Sequence, residues 1–158
     1  MQRLAKSALA GMALLLLSQG ARPQEQNQID CLAEALYFES RGEGLHGMVA
    51  IAIVIQNRVA SPHFPNTVCE VVHQGSRSNK PTPGVCQFSY YCDGLAERIT
   101  EQKSWTQAQR IAEAVINSSV SIDPLGDATH YHAVGCVPSW AKSLTFLGRL
   151  ERHKFYVE

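Results

Sequence analysis

Apolar residues recur at helical spacing through Ile29, Leu32, Ala33, Leu36 and Phe38. This spacing predicts a helix over residues 30 to 40, with Asp30 as its N-cap and Gly42 and Gly44 ending it. Residues 45 to 60, LHGMVAIAIVIQNRVA, are apolar on nearly every side until Gln56, Asn57 and Arg58. A run of that kind belongs in the middle of a core, and its length favours helix over a buried strand. The loop SPHFPN follows, then a short helix over residues 67 to 74 capped by Asn66. Residues 75 to 94 are rich in Gly, Ser and Pro before an aromatic knot, and predict a long surface loop. Thr106 and Gln109 form a capping box for a helix reaching Asn117, with Ala108, Ile111, Ala112, Val115 and Ile116 on its core face. ATHYHAV alternates in polarity and RHKFYVE does so more weakly, so two short strands are expected to pair near the C-terminus. The fold class read from this pattern is α+β and mainly helical: one compact domain with a buried central helix and a small C-terminal two-stranded β element.

The first 20 residues have a different texture. Arg3 and Lys6 precede the apolar ALAGMALLLL, and Ser18 and Gly20 are small residues placed for cleavage before Ala21. The apolar stretch falls short of the roughly 18 to 20 residues that a membrane span needs, so residues 1 to 20 read as a signal peptide and the protein as exported. RPQEQNQ is polar and Gln-rich, so residues 21 to 28 read as a short disordered leader. Residues 29 to 158 remain as a single domain.

Removing residues 1 to 20 leaves 12 Lys and Arg against 14 Asp and Glu, a net charge of −2. That balance provides no concentrated basic face for nucleic acid and no anchor on an anionic membrane. No stable membrane insertion is expected once the signal is cleaved, and the partner is expected to be neutral or mixed in charge.

Five cysteines, at 31, 69, 86, 92 and 136, are disulfide candidates in an exported chain, and their odd number leaves one over. Cys86 and Cys92 make the easiest local pair. Cys31 with Cys69 is the second candidate, leaving Cys136 as the free thiol. No Cys-x-x-Cys is present, which argues against zinc.

Candidate chemistry concentrates in ALYFESRGEGLHG, residues 35 to 47. Glu39 ends the predicted first helix just past Tyr37 and Phe38. The helix's negative end and apolar surroundings both disfavour an ionised carboxylate. Lifting a glutamate from about 4.3 to about 6 costs the charged form roughly 2.3 kcal/mol, within reach of burial. The competing reading is a solvated helix end paired with Arg41 or Arg58. Gly42, Gly44 and Gly47 strip side chains from the adjoining turn, which permits close approach of a ligand and also stops the helix. On GVCQFSYYCDG, Gln87, Ser89 and Tyr90 are equipped to hold sugar rings, while Phe88 and one tyrosine can equally be core plugs. His130 and His132 share one face of a strand, with Tyr131 between them. A His pair without a third ligand is read as hydrogen-bonding, so no metal and no other cofactor is expected. Trp140 can stack on a sugar or fill the core. No Gly-x-Ser-x-Gly elbow occurs.

Taken as ordered blocks, ALYFESRGEGLHGMVAIAIVIQNRV, FPNTVCEVV, GVCQFSYYCDG and DPLGDATHYHA followed by PSWAKSL resemble the SleB/CwlJ-type cell wall hydrolase family, whose catalytic domain is that of spore-cortex-lytic enzymes. The resemblance covers about residues 31 to 157. It implies a lysozyme-like fold related to lytic transglycosylases, acting on peptidoglycan glycan strands. The catalytic glutamate of the family's E-[AS]-R-G-E motif falls on Glu39, and Glu43 matches the second glutamate, with a supporting or structural role. GVCQF resembles the Gly-x-x-Gln block of lytic transglycosylases and puts Gln87 in the cleft. Cys136 departs from the family's pattern before PSW. The Cys-containing loop resembles the proteobacterial branch, which implies the periplasm or outer envelope of a Gram-negative bacterium. On this reading Glu39 is the single catalytic residue, and Glu43, Gln87, Ser89, Tyr90, His130, Tyr131, His132 and Trp140 line the substrate. The rival readings are lysozyme-type hydrolysis, a metal-dependent amidase or peptidase using His130, His132 and Asp127, and a non-catalytic peptidoglycan-binding protein.

Overall fold

A computed structural model describes residues 21–75, 86–117 and 125–158. The predicted signal segment and most of the predicted long loop lie outside the described residues. The elements are α1 (Ala21–Glu39), α2 (Leu45–Ala60), α3 (Val68–Val72), α4 (Gln102–Asn117), β1 (His130–Ala133), β2 (Thr145–Leu150) and β3 (His153–Val157). Short 3-10 turns occupy Ser89–Cys92 and Ser139–Lys142. None of the described helices is long and apolar enough to cross a membrane.

Helix α2 explains the arrangement. Met48, Ile51, Ala52 and Ile55, spaced for one helix face, join the cluster built with α1, α3 and α4. Ala50 and Val54, on another face, pack against Leu125, Ala128 and Phe155 beneath the sheet. A helix covered by helices on one side and a sheet on the other must be apolar all round. Its polar end then becomes a clamp. Asn57 donates its Nδ2 to the carbonyls of Gly126 (2.7 Å) and Ala128 (2.9 Å), and Arg58 donates Nε to that of Thr129 (2.7 Å), which anchors the segment leading into β1.

Four expectations change in the structure. Helix α1 begins at Ala21, so the polar stretch expected as a leader forms its first turns. There Gln26 donates to Asp30 (2.9 Å), and the Gln28 side-chain carbonyl accepts from the backbone of Val68 (2.7 Å) and Cys69 (3.3 Å). Asp30 is therefore inside the helix rather than at its cap. Secondly, α4 begins at Gln102 rather than Thr106, because the Tyr37 hydroxyl oxygen accepts from the backbone N–H of Thr100 (3.0 Å) and Glu101 (3.1 Å) at its start. Thirdly, Thr67 rather than Asn66 caps α3, its side chain accepting from the Glu70 N–H (3.3 Å).

The fourth change concerns the sheet, which has three antiparallel strands in the order β1-β3-β2 rather than two. The two expected strands do pair, with His130 opposite Tyr156 and Tyr131 opposite Phe155. Strand β2 adds on the far side of β3, with a register irregularity between Phe146 and Gly148. A bulge of that kind breaks the period-2 pattern by which a strand is recognised. Cys31–Cys69 ties α1 to α3, Cys86–Cys92 closes the local loop, and Cys136 is free and exposed.

The turn between β2 and β3 reaches back to the start of α2. Glu151, at φ 49°, accepts from the N–H of Gly44 (2.5 Å) on one carboxylate oxygen and of Gly47 (3.3 Å) on the other. It thereby satisfies orphan donors at a helix N-terminus from 104 to 107 residues away. A Cβ on Gly47 would lie 2.7 Å from Glu151 and 2.8 Å from a Glu43 carboxylate oxygen. The glycines after Glu39 thus make room for this carboxylate rather than solely for a ligand. The Gly44 N–H holds the Glu151 carboxyl below the usual range. That stabilisation is present above the unfolded value and lost as pH falls through the folded one. Glu151→Ala is expected to cost about 1 kcal/mol at neutral pH, with the difference from the parent shrinking on acidification, as read by thermal melts across pH.

Candidate active site

Glu39 is the last residue of α1, and the chain turns sharply beyond it, with the Glu43 N–H donating to the Ser40 carbonyl (2.9 Å) and Gly42 at φ 80°. Its carboxyl therefore projects from the helix's negative end towards β1. There the Tyr131 hydroxyl donates to Glu39 Oε2 (3.2 Å). The other oxygen takes no hydrogen bond from the described residues. Burial raises the Glu39 carboxyl above the ordinary value, opposed by the Tyr131 hydrogen bond and the positive charge of Arg58. Burial also drives Tyr131 well above its usual value, with the Glu39 charge adding to it, so the hydroxyl remains a donor.

Arg58 is the third member of the group. It is 1% exposed, with its guanidinium carbon 5.2 Å from the Phe64 ring centre and 5.6 Å from that of Phe88. Burial lowers it to about 10 while the neighbouring Tyr131 and Glu39 act the other way, so it stays charged at neutral pH. Its Nη1 has no hydrogen-bond partner among the described residues. A cation in an apolar shell next to a carboxyl adds to the Tyr131 hydrogen bond in opposing the upward shift of Glu39. The signal for it in the sequence was a lone arginine inside an apolar helix, which requires buried partners.

The remaining candidates divide. Glu43 is engaged by the β2–β3 turn, accepting from the Arg152 N–H (3.3 Å) with His153 Nδ1 at 3.5 Å. Burial and the nearby Glu151 carboxyl raise it. Glu39 and Glu43 thus face different strands, with Glu43 engaged by the β2–β3 turn. Tyr90 is buried and stacked on Phe38 (4.7 Å, 16°), a core plug. His132 is buried, with Nδ1–H donating to the Ala133 carbonyl (2.9 Å) and Nε2 accepting from the Tyr156 hydroxyl (3.0 Å). Both ring nitrogens are occupied, the Nε2 lone pair by the Tyr156 hydroxyl. Among the described residues, no three His, Cys, Asp or Glu side chains sit together as metal ligands do. Gln87 and Ser89 are exposed on the stapled loop. His130 and Trp140 (ring centres 5.3 Å apart) lie on the sheet face opposite Tyr131. Arg41 is exposed above the rings of Tyr37 (5.5 Å) and Phe38 (5.9 Å).

Comparisons with known proteins place this arrangement. The family model described as cell wall hydrolase matches residues 42–156. The spore cortex-lytic enzyme of Bacillus cereus is 33% identical over 131 residues, which is 82% of this chain and 44% of that protein. That of Bacillus subtilis is 34% identical over 130 residues, 82% of this chain and 37% of that protein. The chain thus spans less than half the length of the curated relatives it matches. Among solved structures, the catalytic domain of the germination-specific lytic transglycosylase SleB from Bacillus anthracis superposes with a TM-score of 0.62 at 30% identity, covering 83% of this chain and 94% of that one. The catalytic domain of Bacillus cereus SleB gives 0.59 at 30% identity, covering 83% and 90%. A model match over most of the chain, with two structures alike over nearly their full length, establishes that this chain belongs to the cell wall hydrolase family.

Proposed function

We propose that this protein cleaves the glycan strands of peptidoglycan as a lytic transglycosylase, with Glu39 as its single catalytic carboxyl. The observation that carries the reading is the half-buried Glu39, held on one oxygen by Tyr131 and raised by burial, while the other candidate carboxylate, Glu43, is engaged by the β2–β3 turn. An ordinary glycosidase needs two carboxylates flanking the bond. One is enough when the substrate supplies its own nucleophile.

Glu39 first gives its proton to the leaving glycosidic oxygen as the bond to the muramoyl C1 breaks. The resulting carboxylate then takes the proton of the C6 hydroxyl while that oxygen bonds to C1. This closes a 1,6-anhydro ring, returns Glu39 to its acid form and consumes no water. Intramolecular attack carries a high effective molarity, which replaces a positioned water. Arg58 stays protonated throughout, and its charge favours the carboxylate formed between the two steps. The exposed Gln87 and Ser89 are available to contact the strand. The signal-like residues 1 to 20, two basic residues before an apolar run, support export, and the disulfides support an oxidising compartment, for which we propose the periplasm or outer envelope of a Gram-negative bacterium.

Digestion of purified sacculi, with products weighed by mass spectrometry, tests the reading. Muropeptides with anhydro ends, each one water lighter than hydrolysis products, are expected. Reducing ends would replace the proposal by muramidase hydrolysis, and cleavage at the lactyl-peptide linkage that stops with a chelator would replace it by metal-dependent amidase action.

A further inference from the structure

The outer face of the sheet carries a row of aromatic side chains that the chemistry at Glu39 does not use. His130 on β1, Tyr156 on β3 and Phe146 on β2 are direct register partners, so their side chains share one face. Trp140 covers the row at 5.3 Å from His130 and 5.6 Å from Tyr156, and Phe146 continues it at 5.4 Å from Tyr156. Phe146 is 55% exposed, which is unusual for a phenylalanine on a small sheet. At the other end Phe64 lies 5.9 Å from His130 and opens on a groove of about 690 Å³ also lined by Pro62, Pro65 and Asn66.

Two residues along β3 the chemistry changes. Lys154 and Arg149 are register partners on the same face, and Arg149 is exposed. Neither forms an ion pair with the described carboxylates. The face therefore combines ring surfaces with uncompensated positive charge, in a chain whose predicted mature form is net acidic. The exposed ring of Phe146 and the partly exposed ring of Trp140 suit the apolar faces of linked pyranose rings, with the buried Tyr156 between them as support. The adjoining cations suit carboxylates hanging from such a chain. Because β1 is an edge strand and Arg58 touches Phe64, the row lies around that edge from Glu39.

The geometry points to a second, non-catalytic binding surface on the outer sheet face, where Trp140 and Phe146 stack on the glycan of peptidoglycan while Arg149 and Lys154 take the carboxylates of its stem peptides. The inference rests on the proposed function and deepens it. It gives the enzyme a hold on a strand beyond the bond being cut, so that stem-bearing polymer is retained over bare glycan.

Binding rather than cleavage tests it, using the full chain carrying Glu39→Gln and pull-down on purified sacculi. Adding Phe146→Ala is expected to weaken binding about ten-fold, both to intact sacculi and to sacculi stripped of their stem peptides. Adding Arg149→Glu with Lys154→Glu is expected to weaken binding to intact sacculi alone, with the loss fading in about 0.5 M salt. These side chains are surface-borne, and an unchanged near-ultraviolet circular dichroism spectrum verifies the fold. If both variants bind intact sacculi as tightly as their parent, the surface is overturned. It is also overturned if Phe146→Ala only dissolves a dimer of this chain, which would assign the face to a second copy. If the Glu39→Gln parent itself does not bind sacculi, the proposed function falls with it.

Discussion

Glu39→Gln is expected to lower cleavage of purified sacculi by about 10³-fold or more, since a positioned acid that also serves as base contributes on that order, while making the folded protein more heat-resistant at about pH 8. The second half follows from linkage. Burial raises the Glu39 carboxyl, so the folded protein keeps that proton above the pH at which the unfolded chain releases it. The stability it contributes is full below the unfolded value of about 4.3 and is lost as pH rises through the folded value. Glutamine does not titrate. The advantage of the variant should therefore be present at about pH 8 and absent at about pH 3, read by melting temperature at each pH. On the proposed function the acid form is needed for the first step, so the rate should fall as pH rises through the raised value. A Glu39→Gln protein that digests sacculi at the parental rate would end the assignment of the catalytic acid.

Arg58→Ala is expected to be the most destabilising single change at the site, costing about 3 to 5 kcal/mol. The side chain is 1% exposed, donates to the Thr129 carbonyl and fills the space between Phe64 and Phe88. Its removal leaves a cavity, an unsatisfied carbonyl and a half-buried Glu39 without its cation. On a total of about 5 to 15 kcal/mol for a domain, that loss is severe, and denaturant melts would show it directly. A second readout separates packing from electrostatics. Arg58 opposes the upward shift of Glu39, so in the surviving folded fraction of Arg58→Ala the alkaline fall in activity should move to higher pH. Arg58→Lys keeps the charge but not the planar fork or the Nε contact. It should be destabilised while its pH profile stays near the parental one. Identical profiles in all three proteins would show that Arg58 serves packing alone.

Much of the fold was legible because it rests on local periodicity. Helix α2 spans the same residues as the apolar run that predicted it, and the core face read for α4 is the face that packs, with Ala108, Ile111, Ala112 and Val115 buried. The two cysteine pairs were also within reach of spacing and compartment. The start of α4 was misplaced because the group that serves it comes from elsewhere in the chain. The hydroxyl of Tyr37 serves that start, the side chain of Gln28 adds an acceptor at the start of α3, which Thr67 caps, and the carboxylate of Glu151 does the same at the start of α2. No local pattern announces a cap supplied from tens of residues away.

The candidate site divides along the same line. Charge crowding at a helix break marked Glu39, and the environment expected for it, apolar cover at a negative helix end, is a property of adjacent residues. Glu43, Tyr90 and His132 looked equally chemical in one dimension, yet turn support, stacking and hydrogen bonding consume them. The sequence by itself determined the existence of the helices, the buried central segment, the local Cys86–Cys92 pair and the carboxyl singled out as the candidate acid, because each depends on neighbours within a turn or two. Only the tertiary structure decided that Tyr131 and Arg58 meet Glu39, that Glu151 clamps the glycines beyond it and that three strands align an aromatic row. Those contacts join residues up to 107 positions apart, and the burial and partners of a polar group exist only once the chain has closed around it.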